Sequence, residues 1–228
     1  MTFALFVVLY FISNFRYENS DDALLLKAFM GFEGGTPTNF TLYTHTVLAW
    51  LLYGLNLWLP TIPWFSFFQL GVLFFSGMVL VKSLLQLTRR HRYPLLTGLL
   101  AGGLFLAVFA AFAYCRITYT TTAALAGAAA VAQVLTVDLT GAKGKTIVRA
   151  YLLSLFLLAG AYCLRDISVL PPLAFMGLAS LWRLAEKKKS YPDAPSVLRP
   201  MLAVLAMFVL TFGVLIGIRQ VEIGTRGL

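Results

Sequence analysis

Long apolar stretches, separated by short polar segments, are the dominant pattern along this chain. Several of them approach or exceed the roughly 18 apolar residues that are typical of a membrane-spanning helix. Seven stretches predict such helices: Met1–Phe15, Trp64–Leu87, Pro94–Cys115, Thr120–Val137, Val148–Leu164, Ile167–Leu184 and Met201–Ile218. The pattern therefore predicts an all-α, polytopic membrane protein with about seven transmembrane helices in one domain, 1–228.

One acidic segment interrupts the apolar pattern directly after the first predicted span. It runs from Tyr17 to Pro37 and contains Glu18 and the adjacent pair Asp21 and Asp22. Apolar side chains follow the pair at helical spacing, which predicts a short helix with both aspartates in its first turn. The segment therefore places two neighbouring carboxylates at the edge of the predicted membrane domain.

The aromatic stretch Asn39–Leu59 is long enough to cross a membrane, but the distribution of charge favours a different placement. The chain has a formal net charge of +9, and cytoplasmic loops of membrane proteins are enriched in Lys and Arg. If this stretch lies along the interface, almost all of the positive charge falls on one face and the acidic segment on the other. Its Trp and Tyr residues also suit an interface. We therefore predict that residues 16–63 form an outer-face loop with interfacial helices.

The composition agrees with this prediction and indicates which class of partner the chain binds. Hydrophobic residues make up 60% of the chain, whereas soluble domains have roughly 45–50% apolar residues. Because the basic residues fall on predicted cytoplasmic loops, membrane lipid and not nucleic acid is the predicted partner, and no protein partner is indicated. The predicted location is a bacterial plasma membrane. Cys115 and Cys163 have no C-x-x-C spacing, so they are interpreted as packing residues.

Asp21 and Asp22 are the first candidates for chemistry. Two neighbouring carboxylates can bind a divalent cation such as Mg²⁺ or Mn²⁺ through their oxygens. One of them can also accept a proton from an incoming hydroxyl group as a catalytic base. The alternative is that the pair only caps its helix and is solvated. Glu18 is a further candidate for contact with an acceptor or donor, because it lies in the same segment.

Two arginines on the predicted outer face are candidates for phosphate binding: Arg165, between the fifth and sixth spans, and Arg116, before the fourth. A planar guanidinium group suits an oxyanion. For Arg165 the alternative is an ion pair with Asp166 that closes a tight turn. Thr120 and its neighbours are interpreted as an N-cap. His45 is a candidate for substrate contact, although a packed or interfacial histidine is the simpler interpretation because no other ligand lies nearby in sequence.

Several short motifs resemble those of one protein family. They are Asn19-Ser-Asp-Asp22, Gly34-Gly-Thr-Pro37, Pro63-Trp64, Thr120-Thr-Thr-Ala123 and Leu164-Arg165. With an apolar helix before the acidic pair and an aromatic interfacial helix after it, the chain resembles GT-C-fold membrane glycosyltransferases and uncharacterised multi-spanning bacterial proteins of that type.

The resemblance implies transfer of a sugar from a polyprenyl-phosphate-linked donor on the outer face of the membrane. It implies a base or metal-ligand role for Asp21 or Asp22, and contact with the donor phosphate for Arg165 or Arg116. GT-C enzymes usually have more spans and often a soluble outer domain, so a fragment or a truncated relative is also expected.

The leading hypothesis is therefore a glycosyltransferase in which Arg165 stabilises the leaving lipid phosphate, and in which Asp22→Asn abolishes transfer. A transporter or flippase of a lipid-linked substrate is the alternative, and it requires polar residues along the spans. The sequence has few of these. A non-catalytic truncated membrane subunit is the third hypothesis.

Overall fold

A computed structural model of the chain describes residues 3–4, 7–8, 11, 16–17, 20–32, 37, 44–90, 93–105, 107, 111–136, 144–190, 209–211, 213–221 and 223–224. These residues are mostly helical, which confirms the all-α prediction. The main elements are β1 (Arg16–Tyr17), α1 (Ser20–Met30), α2 (Thr46–Trp58), α3 (Trp64–Leu87), α4 (Pro94–Phe105), α5 (Ala111–Cys115), β2 (Arg116–Ile117), α6 (Tyr119–Thr136), α7 (Gly144–Leu164) and α8 (Leu170–Ser190).

Helix α6 lies at the centre of the bundle, packed against α3, α7 and α8. It can pack closely on several sides because its buried faces consist mainly of small residues, such as Ala123, Ala126 and Ala130, which are wholly buried. Gly127 faces the ring of Pro172 at the start of α8, where an added Cβ would overlap the proline ring. The small side chains of α6 therefore determine how near the other helices approach.

The helix directions follow from pairs of contacts at the two ends of the bundle. Near the start of α3 and α6, both helices contact Asp22, and near their ends Thr136 Oγ1 donates to Ser83 Oγ at 3.3 Å, so α3 and α6 run in the same direction. Helix α7 runs in the opposite direction, because Ser154 Oγ donates to the Ala130 carbonyl at 3.1 Å and Arg165 contacts Thr120. We call the end formed by the start of α3, the start of α6 and the end of α7 the Asp22 end.

Helix α2 has both of its termini at the Asp22 end. At its start, the His45 backbone N–H donates to the Cys163 carbonyl at 2.8 Å, one residue before the end of α7. Beyond its last residue, the Leu59 carbonyl accepts from the indole Nε1 of Trp64, the first residue of α3, at 3.1 Å. With 13 residues, α2 is about 20 Å long. It therefore does not run from one end of the bundle to the other.

One helix of the described residues, Trp64–Leu87, has both the length and the hydropathy of a membrane-spanning helix. The other apolar stretches are shorter: Thr46–Trp58, Pro94–Phe105, Val148–Leu164 within α7, Ile167–Trp182 overlapping α8, and Val209–Val221. At 1.5 Å per residue, each of these falls short of a hydrocarbon core of about 30 Å. The prediction of seven spanning helices is therefore not supported by the described part of the chain, and the predicted start of the last span, residues 201–208, lies outside it.

The short helix predicted within the acidic segment is α1, and it ends at a glycine. Gly31 has a positive φ of 79°, a conformation that glycine adopts without steric cost. The Phe32 N–H donates to the Lys27 carbonyl at 2.9 Å and the Gly31 N–H to the Ala28 carbonyl at 3.2 Å. This is the Schellman arrangement, which satisfies the last carbonyls of a helix.

Two short strands tie the N-terminal segment to the middle of the chain. Strands β1 and β2 are parallel, with Arg16 opposite Arg116 and Tyr17 opposite Ile117. Tyr17 also shares a hydrogen bond with Ser66 in the first turn of α3, and its ring stacks on that of Phe65 at 6.3 Å. These contacts hold the start of α1 beside the start of α6, which positions the site described next.

Candidate functional site

The side chain of Asp22 is buried in the junction between α1, α3 and α6. Its exposed fraction is 0%. Its Oδ1 atom accepts two hydrogen bonds, one from the amide Nε2 of Gln69 at 3.0 Å and one from the backbone N–H of Tyr119 at 2.9 Å. Tyr119 is the first residue of α6, so its N–H has no acceptor within its own helix. Asp22 therefore caps a helix that lies 97 residues further along the chain.

The helical spacing of α1 explains why Asp22 points inward. Leu25 and Phe29 follow it by three and seven residues and are buried on the same face. The ring of Phe29 contacts that of Phe65 at 5.4 Å, which anchors this face on α3. Asp21 lies one position earlier and is only partly buried. The two aspartates, which the sequence presents as a pair, thus have different environments.

Two oxygen atoms in this junction have no partner among the described residues. Oδ2 of Asp22 and Oε1 of Gln69 are both buried without a hydrogen bond there. Burial is the main cause that raises the pKa of the Asp22 carboxyl above its ordinary value, and the nearby charge of Asp21 adds to it. The hydrogen bonds from Gln69 and Tyr119 oppose this shift without cancelling it. The environment therefore makes the neutral form of Asp22 more favourable than it is in water.

Arg165, which directly follows α7, also contacts the start of α6. Its Nη1 donates to Thr120 Oγ1, and its Cζ lies 5.6 Å from the centre of the Tyr119 ring. A guanidinium group over an aromatic face is a favourable cation–π arrangement. Thr118 caps α6, because its Oγ1 accepts from the Thr121 N–H at 3.0 Å. The N-cap predicted around Thr120 is thus formed by Thr118, which leaves the Thr120 hydroxyl to Arg165.

The structure thus brings Asp22 and Arg165 to adjacent residues, Tyr119 and Thr120. It does not place Arg116 in the same position, since the side chain of Arg116 is exposed at the surface of β2. The predicted pairing of Arg165 with Asp166 concerns a side chain outside the described part of the structure. Glu18 also lies outside the described residues.

His45 is a packed residue at the start of α2. It is 4% exposed, its Nδ1 accepts from the Val47 N–H at 3.3 Å, and its ring lies 5.1 Å from that of Tyr162. The histidine therefore caps α2 and docks it on α7. These contacts agree with the packed alternative and not with a group that faces a substrate.

A divalent cation does not fit the Asp22 junction. A cation such as Mg²⁺ demands near-octahedral coordination by oxygen atoms, and it usually keeps several water ligands beside one or two carboxylates. Here one carboxyl oxygen already accepts two N–H groups, and Asp22 is sealed from solvent. Within the described ranges, no group of three or more His, Cys, Asp or Glu side chains could hold a metal ion. The predicted Mg²⁺ or Mn²⁺ site has no support from this arrangement.

An apolar groove with a volume of 320 Å³ lies between α2, α3 and α7. Val47 and Leu51 of α2 form one wall, and the groove extends along α7 to Cys163, two residues before Arg165. The lining is almost entirely apolar. The groove therefore joins an apolar surface to the end of the bundle that carries the site.

Reasoning from the sequence did not identify Gln69 or Tyr119 as site residues. A glutamine within an apolar stretch is itself a signal, because a buried amide needs hydrogen-bond partners. Nothing in the sequence indicates that its partner is Asp22, which is 47 residues away. Tyr119 contributes a backbone group, which no side-chain pattern reveals.

Comparison of the chain with known protein families, with characterised proteins and with solved structures gives no match.

Proposed function

We propose that this chain is a multi-pass membrane protein of the glycosyltransferase-like class, which uses a polyprenyl-phosphate-linked sugar on the outer face of a plasma membrane. The observation that carries the proposal is that Arg165 and Asp22, the neighbour of the partly exposed Asp21, contact adjacent residues, Thr120 and Tyr119, so that a guanidinium group and an accessible carboxylate lie at the same end of the bundle. Sugar transfer from a lipid phosphate needs a group that binds the leaving phosphate and a group that activates the acceptor. The Asp22 end supplies candidates for both.

Arg165 is the proposed phosphate-binding residue. Its side chain is only partly buried, and the described residues give its guanidinium one hydrogen-bond acceptor, Thr120 Oγ1. In this proposal the remaining N–H groups bind the phosphate. Because the negative charge on the phosphate grows as the sugar bond breaks, a guanidinium held in place by Thr120 and the Tyr119 ring stabilises the transition state more than the ground state.

Asp21 is the proposed acceptor-activating carboxylate. It lies beside Asp22 but reaches the surface, whereas Asp22 is sealed in the helix junction. An incoming hydroxyl group can therefore approach Asp21 without any rearrangement of the bundle. Asp22 then serves to position the start of α6, and no step of the proposal uses a metal ion.

The placement of α2 supports an interfacial position for residues 46–58. Both termini of α2 lie at the Asp22 end, and its side chains Trp50 and Trp58 are exposed. Exposed tryptophans are typical of the membrane–water interface. In this placement the apolar groove between α2, α3 and α7 opens towards lipid and ends near Arg165, as a lipid-linked donor requires.

A transporter is less well supported by the contacts of the buried hydroxyl groups. Ser76 Oγ donates to the Val72 carbonyl at 2.6 Å, and Ser154 Oγ donates to the Ala130 and Ala150 carbonyls at 3.1 and 3.0 Å. The hydroxyl groups of these serines donate their hydrogen bonds to helix backbone carbonyls, so they do not line a polar path. A transporter and a non-catalytic subunit remain the alternative functions, and one experiment distinguishes both from a transferase.

The test uses the full chain in proteoliposomes supplied with labelled polyprenyl-phosphate-linked hexoses and a mixture of acceptors. We expect a new glycosidic product, and we expect Arg165→Lys to lower its rate about 100-fold, as loss of one oxyanion-binding donor does in other enzymes. Arg89→Lys is the matched control, because Arg89 is exposed beyond the far end of α3, and it should leave the rate unchanged.

Three results would contradict the proposal. Full transfer activity in Arg165→Lys would remove the guanidinium from the mechanism. Movement of the lipid-linked sugar across the bilayer without a new product would identify a flippase. An inactive chain that co-purifies stably with a larger active enzyme would identify a non-catalytic subunit.

A further inference from the structure

The Asp22 and Gln69 side chains meet in a way that an ionised carboxylate does not explain. The amide donates to Oδ1 of the carboxyl group at 3.0 Å. The other atom of each group, Oδ2 of Asp22 and Oε1 of Gln69, is a buried acceptor without a described partner. Each of the two groups thus has one buried oxygen atom that accepts no described hydrogen bond, in addition to the hydrogen bond that joins the groups.

We propose that Asp22 is protonated on Oδ2 in the folded protein and that this O–H donates to Oε1 of Gln69. The acid and the amide then form a cyclic pair with two hydrogen bonds, Nε2–H to Oδ1 and Oδ2–H to Oε1. One proton satisfies both unpaired oxygens at once. The pair makes Gln69 a positioning residue, which holds Asp22 so that Oδ1 caps Tyr119 at the start of α6.

The energetics of burial favour this arrangement over an ionised aspartate. An isolated charge in a buried site is costly, and a carboxyl group in such a site becomes neutral unless a cation compensates it. No cation lies among the described groups that contact Asp22: its partners are the amide of Gln69 and the N–H of Tyr119. A neutral acid in contact with a neutral amide removes the cost of the buried charge.

The charged and titratable groups around the carboxyl group agree with a neutral acid. The cation Arg165 contacts Thr120 and the ring of Tyr119, and it is not among the groups that shift the pKa of Asp22. Asp21 on the same helix is negative and opposes a second negative charge at Asp22. From β1, Tyr17 carries a phenol whose pKa burial raises to about 12, so it is neutral over the physiological range. Helices α3 and α6 contribute the neutral groups Gln69, Ser66 and Tyr119.

The inference does not depend on the sugar-transfer reaction, because a protonation state is measured without any donor or acceptor. Infrared spectroscopy of the full chain in lipid vesicles, titrated across neutral pH, detects the C=O stretching band of a protonated carboxylic acid. We expect this band in the unmodified protein at neutral pH and expect it to disappear in Asp22→Asn. Asp21→Asn is the matched control, and it should keep the band, since Asp21 is partly exposed.

The melting temperatures of two Asp22 variants distinguish a protonated Asp22 from an ionised one. Asparagine reproduces the neutral acid, because its Nδ2–H can donate to Gln69 Oε1 in place of the Oδ2–H. Asp22→Asn should therefore fold with a melting temperature close to that of the unmodified protein, whereas Asp22→Leu should melt at a clearly lower temperature.

The sign of the pH dependence follows from the raised pKa of Asp22. The stabilisation is fully present below the unfolded value of 3.8 and is lost as the pH rises through the folded value. The melting temperature should thus fall with rising pH, and Asp22→Asn should remove that slope.

Two outcomes would overturn the inference. The first is an infrared spectrum of the unmodified protein at neutral pH with no protonated-carboxyl band, which needs no variant to fold. The second is a pH dependence of melting that is the same in Asp22→Asn and in the unmodified protein. Neither result bears on sugar transfer, so failure of this inference is distinguishable from failure of the proposed function.

Discussion

Asp22 and Arg165 contact adjacent residues at the start of one helix. Asp22 accepts the backbone N–H of Tyr119 at 2.9 Å, while Arg165 donates to the Thr120 hydroxyl and lies over the Tyr119 ring. Residues from the beginning, middle and last third of the chain thus meet at one point. Displacement of the start of α6 would move both groups together, so this terminus is the part of the fold on which the proposed site depends.

The bond between Gln69 and Asp22 can be tested by removing the amide. Gln69→Leu leaves Oδ1 of Asp22 with one donor instead of two, so we expect a loss of about 1–3 kcal/mol in the free energy of unfolding. The measurement is denaturant unfolding in detergent micelles. Gln133→Leu is the matched control, since Gln133 is also buried but its side chain has no described hydrogen bond and carries an unpaired Oε1. Equal losses in the two variants would contradict a specific role for Gln69.

The contact between Gly127 and Pro172 predicts a strong steric effect at the centre of the bundle. A Cβ at residue 127 would overlap the proline ring, and overpacking of this kind costs about 1–3 kcal/mol. We therefore expect Gly127→Ala to lower the melting temperature of the protein in detergent. In Gly71→Ala the new methyl group meets nothing within 4 Å, and the higher helix propensity of alanine should leave stability unchanged or slightly raised. If Gly127→Ala melts at the same temperature as Gly71→Ala, the close packing of α6 on α8 is wrong.

Tyr17 should ionise only at high pH. Burial raises its pKa from 10.0 to about 12, so the neutral phenol is favoured in the folded state. The stabilisation from this group is present below pH 10.0 and is lost as the pH rises through about 12. Absorbance titration of the phenolate should show one late-titrating tyrosine fewer in Tyr17→Phe than in the unmodified protein. A titration curve that Tyr17→Phe leaves unchanged would show that this phenol is not buried as described.

The orientation of the bundle predicts which surface residues share one side of a membrane. In a background without Cys115 and Cys163, we expect Thr61→Cys and Ile167→Cys to react with a membrane-impermeant thiol reagent added to the same side. Both residues are exposed and follow the termini of α2 and α7 at the Asp22 end. Tyr93→Cys, exposed at the far end of α3, should react from the other side only.

Labelling of Thr61→Cys and Tyr93→Cys from one common side would contradict a membrane-crossing α3. Labelling of Thr61→Cys and Ile167→Cys from opposite sides would mean that α2 crosses the bilayer, and the proposed interfacial placement would then be wrong. Reaction of all three variants after permeabilisation is the control for reagent access.

The sequence predicts the local part of this architecture well. The spacing of Leu25 and Phe29 after the acidic pair predicts α1, and the apolar run from Trp64 predicts α3 with the bounds that the structure has. Short-range rules succeed here because helix formation depends on neighbours three and four residues away. The length of α6 was also predicted well, at 18 residues, but α6 is not among the described helices with the hydropathy of a spanning helix, because its threonines and Gln133 are polar.

The part that could not be predicted depends on long-range contacts. From the sequence, Asp21 and Asp22 have the same chemistry, and only the docking of α1 on α3 makes one of them buried and the other partly exposed. The phosphate-binding candidates differ for the same reason: Arg165 meets Thr120, which is 45 residues away, whereas Arg116 stays at the surface. The spacing of residues along the chain does not indicate which side chains come into contact over such long sequence separations.

The sequence separation between Asp22 and the helix that it caps has a consequence for biosynthesis. The Tyr119 N–H is translated 97 residues after the carboxyl group that accepts it, so α1 leaves the ribosome long before its partner exists. During that interval the acid has no buried site to enter and is ionised in water. The start of α6 therefore completes the junction only when the nascent chain has passed its midpoint, and the uptake of a proton by Asp22 would accompany that late docking step.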